Sequence, residues 1–243
     1  MELTKRQKDI LYAIVTEFIE SAIPVGSGLI SDKYEIDASP ATIRYEMVKL
    51  ADEGYISKAH SSSGRIPTLL GYRLYLQDLM SEEEVNYLTE IQLTRELANV
   101  RFQRDRLIRG LTSTISEITK YACVVLTEDG IFYSGLYNLL DYPEFIENNK
   151  FRNILLAFDD LNTLSNVFGR EFTDGRVKVL IGDELEERIL RDCSIVFTEI
   201  NLYRGERAVL AVVGPKRLHF SRVIPLMKLT TQIVQKLMLG WES

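Results

Sequence analysis

Apolar residues recur at helical spacing near the start of the chain, where Ile10, Leu11, Ile14, Val15, Phe18 and Ile19 make one stripe. Thr4 and Gln7 have the spacing of a capping box, in which each side chain satisfies the other's backbone N–H. A helix is therefore predicted from there to Ser21-Ala22, ahead of Pro24 and Gly26. Ser27 opens a second, short helix through Tyr34, and Glu35-Ile36-Asp37-Ala38 turns the chain. Ser39-Pro40 starts a third, because a Ser oxygen accepts from first-turn N–H groups and Pro loses nothing at a position whose N–H has no partner. Gly54, which tolerates a left-handed backbone, ends it. Tyr55 to Ala59 and Arg65 to Thr68 read as a hairpin around the polar loop His60-Ser61-Ser62-Ser63-Gly64. Thr68 then caps a further helix that turns Leu69, Tyr72, Leu76 and Leu79 inward. Two short helices, a tight turn and a basic β-wing predict a winged helix-turn-helix over residues 1–80.

The pattern changes twice after that. Residues 81–110 are charged and helical, with Ser81-Glu82-Glu83-Glu84 at a helix start and Arg95, Arg101, Arg104, Arg106 and Arg109 further on. This reads as a solvated connector, the competing reading being a second phosphate-contacting surface. Residues 111–243 alternate strands and helices. A helix over Leu111 to Lys120 precedes an apolar run from Tyr121 to Leu126, and Asp129-Gly130 is a hairpin turn into Ile131 to Ser134. Phe151 to Phe168 reads as one helix, and Asp174-Gly175 turns into a strand over Val177 to Ile181. Ser194 to Leu202 pairs with Ala208 to Val213, and a long helix runs from Ser221 to Leu239. Strands with helices at both ends predict an α+β domain with a mainly antiparallel sheet.

Composition adds constraints rather than chemistry. With 243 residues and 46% hydrophobic content, the chain can build two small cores or one large one. A net charge of −6 gives no general attraction to phosphate, so nucleic-acid binding must come from a local basic face. Cys123 and Cys193 have no metal-like spacing and suit a reducing compartment. No run is apolar enough for a signal peptide or a bilayer span, so a cytoplasmic protein is expected.

Helix periodicity selects the candidate DNA contacts. If Ile43, Met47, Leu50 and Gly54 face inward, then Ala41, Tyr45, Val48 and Asp52 face outward, flanked by Thr42, Arg44 and Lys49. A recognition helix presents its N-terminal residues to base edges, which favours Ser39, Thr42, Arg44 and Tyr45. Arg44 can grip a guanine bidentately, a contact worth about 1–3 kcal/mol of discrimination. Lys49 suits a phosphate. Ser27 at the opening of the preceding helix, and Lys58, His60, Ser61 and Arg65 in the wing, complete the expected surface. The competing reading pairs Arg44 with Glu46 or Asp52.

At these residues the chain resembles the HrcA-type heat-inducible transcription repressors of bacteria. The likeness lies in Leu3-Thr4-Lys5-Arg6-Gln7, Pro24-Val25-Gly26-Ser27, Ser39-Pro40-Ala41-Thr42-Ile43-Arg44 and His60 through Thr68 with Gly71-Tyr72-Arg73. It resumes in Tyr137-Asn138-Leu139-Leu140, Pro143-Glu144-Phe145, Ile181-Gly182, Asp192-Cys193-Ser194 and Val213-Gly214-Pro215-Lys216-Arg217 through Arg222-Val223-Ile224. The resemblance implies a repressor that binds an inverted-repeat operator of chaperone genes as a homodimer. It also implies a GAF-like second domain and support from a GroEL-type chaperonin. Members of that family carry an inserted dimerisation domain that this chain lacks, since Leu126 is followed so soon by Tyr137. Dimerisation is then left to the Leu88 to Ile108 stretch or to the GAF-like sheet. Tyr45 and Glu46 also replace the small polar residue and the Asp expected after the recognition Arg.

Other classes are poorly supplied with residues. Cys193 and His219 are the one pair that could form a nucleophile and base, and a small Cys in a strand is normally core. Two His and two Cys lack ligand spacing, and Gly175, Gly182, Gly205 and Gly214 form no phosphate-cradling loop. Neither an enzyme nor a cofactor is expected. A ligand-sensing regulator of unrelated genes is the alternative, and a winged helix that binds protein rather than DNA is a third reading.

Overall fold

The computed structural model describes residues 3–58, 64–146, 150–168 and 175–239. The chain divides into two compact units, Met1–Ser81 and Glu82–Ser243.

The first unit is built on α1 (Lys5–Ser21). Its capping box forms as the sequence requires, with the Gln7 N–H donating to Thr4 Oγ1 at 3.3 Å and the Thr4 N–H to Gln7 Oε1 at 2.9 Å. Ile10, Leu11, Ile14 and Val15 are fully buried. The short helix α2 (Ser27–Lys33) and the longer α3 (Pro40–Asp52) pack on it. Ser39 caps α3 by accepting from the Thr42 N–H at 3.2 Å, and Gly54 takes φ +83° just after the helix. At the start of α2 the cap is Gly26, with no side-chain bond, and Ser27 is the first helical residue, buried. The expected Ser27 cap is therefore absent, because the side chain turns into the core.

Strands β1 (Ile56–Lys58) and β2 (Arg65–Pro67) pair antiparallel, and Val25 bridges to Arg65 through two backbone bonds of 2.8 and 2.9 Å. Thr68 caps α4 (Leu69–Leu74), which runs directly into a π-helical turn at Tyr75–Leu79. The wider turn shifts the phase of the apolar stripe. Tyr72 and Tyr75 are buried, whereas Leu69, expected in the core, is exposed. Gly71 permits this packing, since a Cβ there would lie 2.2 Å from the Tyr55 carbonyl oxygen.

The second unit starts differently from the expectation. Residues 82–86 are not helical. The helix begins at Tyr87 behind an Asn86 cap, giving α5 (Tyr87–Val100), and α6 (Arg104–Thr119) packs beside it. The acidic residues meet α10 (Phe220–Leu239) instead of a helix N-terminus. Glu83 accepts from Ser221 Oγ at 2.7 Å and from Arg222 Nε at 3.1 Å, and Glu82 pairs with Lys228. Pro225 lies inside α10 and has no N–H for the carbonyl one turn back, that of Ser221. The Glu83 N–H occupies that acceptor at 2.9 Å.

Among the described residues five strands form one sheet in the order β4-β3-β7-β6-β5, each pair antiparallel: β3 (Ala122–Thr127), β4 (Gly130–Ser134), β5 (Lys178–Ile181), β6 (Cys193–Asn201) and β7 (Arg207–Pro215). This is the α+β architecture that the alternation predicts. Thr127 pairs with Gly130, so the β3–β4 turn is Glu128-Asp129 and Gly130 already belongs to the strand. All six residues of β3 are buried. Ala122, Val124 and Leu126 join Ile154, Phe158 and Leu164 in one apolar layer, while α6 packs on β3 and β4 and α10 on β6. After the short α7 (Pro143–Ile146), the helix expected over Phe151 to Phe168 is two, α8 (Lys150–Asp159) and α9 (Leu161–Phe168), with Asp160 between them accepting from the Asn162 N–H and the Thr163 hydroxyl. Asp174 lies outside the described residues.

The C-terminal motifs meet at one end of this sheet. Asn138 donates to Ser116 Oγ at 3.0 Å and to the Tyr121 carbonyl at 3.3 Å, Glu144 pairs with Arg217, and the Ser194 hydroxyl donates to the Lys216 carbonyl at 2.9 Å. They are structural joints.

Candidate nucleic-acid interface

Two polar contacts hold α3 from behind. Buried Gln7 donates to Glu46 Oε2 at 3.1 Å, and the other Glu46 oxygen lies 3.4 Å from the Lys49 ammonium. Glu46 is therefore a strut between α1 and α3. Lys49 is drawn along the helix, its ammonium 4.5 Å from the Tyr45 ring centroid. A second strut sits at α2, where Glu17 accepts from the Tyr34 hydroxyl at 2.7 Å and pairs with Lys33 at 2.6 Å. Burial opposes the charge on Glu17, but the Lys33 and Tyr34 bonds outweigh it and hold the carboxyl below its ordinary value. The same contact, with burial the larger cause, pushes the Tyr34 phenol well up.

Ile43, Met47 and Leu50 anchor the inner side of α3, each contributing about 1.5–3 kcal/mol by burial. Ala41, Arg44, Tyr45, Val48 and Asp52 are exposed on the outside, as the helix period requires. Gly54, expected inward, is exposed. Arg44 makes no ion pair with Glu46 or Asp52 or with any other described residue, so its guanidinium is available. Ser39 is exposed and Thr42 half-buried, their hydroxyls 2.9 Å apart, and the first turn of α3 carries no acidic residue. The helix dipole makes that end attractive to anions, although Pro40 offers no N–H and those of Thr42 and Ile43 are taken by Ser39.

The wing is less accessible than its composition suggests. Lys58 is exposed, but its register partner Arg65 is buried, with its guanidinium 3.5 Å from the Gly64 carbonyl. Arg65 is tied by its backbone to Val25, which turns its side chain inward. A Cβ on Gly64 would meet the Pro24 carbonyl oxygen at 2.6 Å. The Pro24-Val25 motif and the Gly64-Arg65 motif, distant in sequence, are thus one joint. His60 and Ser61 lie outside the described residues. Of the sequence-derived set, Ser39, Thr42, Arg44, Tyr45, Lys49 and Lys58 occupy accessible positions, whereas Ser27 and Arg65 are structural. Reasoning from sequence missed Gln7 and Glu46 as a pair, and only the buried position of a capping-box Gln could have signalled it.

Burial drives the thiols of Cys123 and Cys193 well up in pKa, so neither supplies a thiolate at neutral pH. No cluster of three or more metal-ligating side chains occurs among the described residues, and none of the chain's helices there is long and apolar enough to cross a membrane.

The helix pair, its hairpin and the antiparallel second unit define a two-unit α+β protein. The model for the HrcA protein C-terminal domain matches residues 72–224, more than half of the chain. The chain belongs to the HrcA family. Relatives aligned over nearly their whole length include two named heat-inducible transcription repressor HrcA. The one from Lysinibacillus sphaericus is 26% identical, with 93% of this chain and 95% of the relative covered. The one from Desulforudis audaxviator is 27% identical, with 98% of each covered. That second alignment spans 339 positions against a chain of 243, so at least 96 positions of the relative face no residue here. A crystal structure of a hypothetical protein at 2.2 Å resolution superposes with a TM-score of 0.74 at 18% identity, covering 98% of each chain, a likeness of fold.

Proposed function

We propose that this chain is a non-enzymatic, cytoplasmic transcription repressor of heat-inducible genes, whose first unit reads DNA as a winged helix-turn-helix. The observation that carries the reading is Arg44, exposed and unpaired on a helix whose position is fixed from α1 by Gln7 and Glu46. The names of the relatives and the family membership support it. Arg44 enters the major groove and reads a base edge, while Ser39 and Thr42 bring the N-terminus of α3 against the phosphate backbone. Lys58 contacts a phosphate from the wing, and Tyr45 with Lys49 on its ring lies along the groove wall. Two copies bind an inverted repeat, since half-site symmetry mirrors protein symmetry. Support of the active form by a GroEL-type chaperonin belongs to the same proposal.

The test is a fluorescence-anisotropy titration of a family-type inverted repeat against a scrambled duplex at fixed salt. Discrimination above about a thousandfold supports an operator binder, and equal weak binding overturns it. One observation favours the ligand-sensing alternative. A cavity of about 420 Å³ in the second unit is lined by Tyr121, Tyr142, His219 and Leu226, within the size range of small-molecule sites.

A further inference from the structure

The outward side of α3 is apolar along its centre and cationic at its margins. At about 3.6 residues per turn, Ala41, Tyr45 and Val48 fall within about 60° of arc, on the side opposite buried Ile43, Met47 and Leu50. All three are exposed, Tyr45 at 61% and Val48 at 43%. Arg44 stands at one margin of this stripe and Lys49 at the other, its ammonium over the Tyr45 ring. A face that met only water would gain nothing from a tyrosine and a valine in succession. Exposed apolar groups in a row mark a contact surface.

The charges around the stripe indicate what it meets. The first turn of α3 carries no acidic residue, two cations rim the centre, and Lys58 lies exposed on the hairpin. Asp52 continues the line only about one turn beyond Val48, which confines a polyanionic partner to the earlier turns. An apolar centre with a cationic rim suits the major groove, where phosphates line the walls and base edges form the floor. One group on that floor is apolar, the C5-methyl of thymine. Val48 has no side-chain donor or acceptor, so that methyl is the feature by which it can tell one base from another. The methyl stands toward its own strand, within reach of a ring that lies along the groove wall.

We propose that Tyr45 and Val48 are specificity-determining residues, selecting thymine in the operator by packing on its C5-methyl beside the base that Arg44 reads. The inference rests on the repressor reading and deepens it, by naming the bases that are met without a hydrogen bond. Tyr45 departs from the residue that the resemblance leads one to expect, so the family likeness does not supply this contact.

Selection from duplexes with randomised half-sites recovers the preferred inverted repeat. Competitive anisotropy then compares it with a copy carrying deoxyuridine for every thymine, an exchange that removes the methyl and keeps each hydrogen-bonding group. The unaltered chain should bind the deoxyuridine copy about tenfold or more weakly, since each buried methyl is worth about fourfold and the two half-sites add. In the double variant Tyr45→Ala with Val48→Ala the ratio between the duplexes should fall to about twofold or less. An effect of uracil on groove shape would persist in that variant, so the change in ratio isolates the contact. Arg44→Ala should lower affinity for both duplexes and keep the ratio. These side chains are exposed, and circular dichroism with thermal denaturation verifies that each variant folds. A ratio near one for the unaltered chain, or a ratio unchanged in the double variant, overturns the proposal. Equal binding of selected and scrambled duplexes removes the repressor reading and this inference with it, whereas operator discrimination that survives deoxyuridine removes this inference and leaves the repressor reading standing.

Discussion

Arg44 and Lys58 are both exposed cations on the first unit, yet they differ in what they can read. A guanidinium forks onto two acceptors of one base, whereas an ammonium is a point charge that suits any phosphate. Arg44→Ala is therefore expected to cost about 1–3 kcal/mol on the preferred operator and to relax preference at one base pair. Lys58→Ala should weaken all sequences equally and flatten the salt dependence by about one counterion. Competitive anisotropy titrations over a salt series distinguish the two, and equal losses on all sequences from Arg44→Ala would remove it as a base reader. Lys49 offers less than its charge suggests, being already engaged by Glu46 and the Tyr45 ring. The exposed side of α3 was legible because a 3.6-residue period needs only the order of apolar positions. Glu46 was not, because its partner Gln7 is 39 residues away and nothing local announces it. Arg65 misled for a related reason: a basic residue in a polar loop reads as solvated, and only the strand register and the bridge to Val25 turn it inward.

At the scale of elements, α2 is held to α1 by one buried carboxylate. The Glu17 pKa lies below its ordinary value of 4.5 in the folded unit. A depressed folded pKa means that the stabilisation is fully present above the unfolded value and is lost as pH falls through the folded one. Thermal unfolding of the first unit should therefore show acid destabilisation below about pH 4.5, the Glu17 value when unperturbed. Glu17→Gln should be less stable at neutral pH and flatter through the acid range. An unchanged acid limb in that variant would assign the effect to other carboxylates. Element boundaries followed local chemistry where a cap existed, as at Thr4, Ser39 and Thr68. They failed where tertiary partners decided. The acidic run at 82–84 looks like a helix start, but its carboxylates and a backbone N–H are claimed by α10.

For the whole molecule, the net charge of −6 and the proposed phosphate contact are compatible, because binding depends on the local face rather than the sum. Division into two compact units predicts two calorimetric transitions, with Glu17→Gln lowering one and leaving the other in place. A single cooperative transition shifted as a whole would refute that independence. The α+β class was legible from alternating periods, and the strand order was not, since β3 pairs with β7 far along the chain, Ala122 meeting Val213, rather than with the strand that follows β4.

Pro225 turns a local imperfection into an address. By withholding one donor from α10, it leaves a carbonyl that the segment following the first unit can find, and Glu83 docks there. A substitution that perfects the helix should therefore loosen the chain elsewhere. Pro225→Ala is expected to strengthen α10 while speeding hydrogen exchange at the Glu83 amide, as the helix's own N–H competes for Ser221. Slower exchange along α10 with unchanged protection at Glu83 would mean that the Ser221 hydroxyl and Arg222 hold the segment without it. In this unit, order at a distance is secured by a defect at hand.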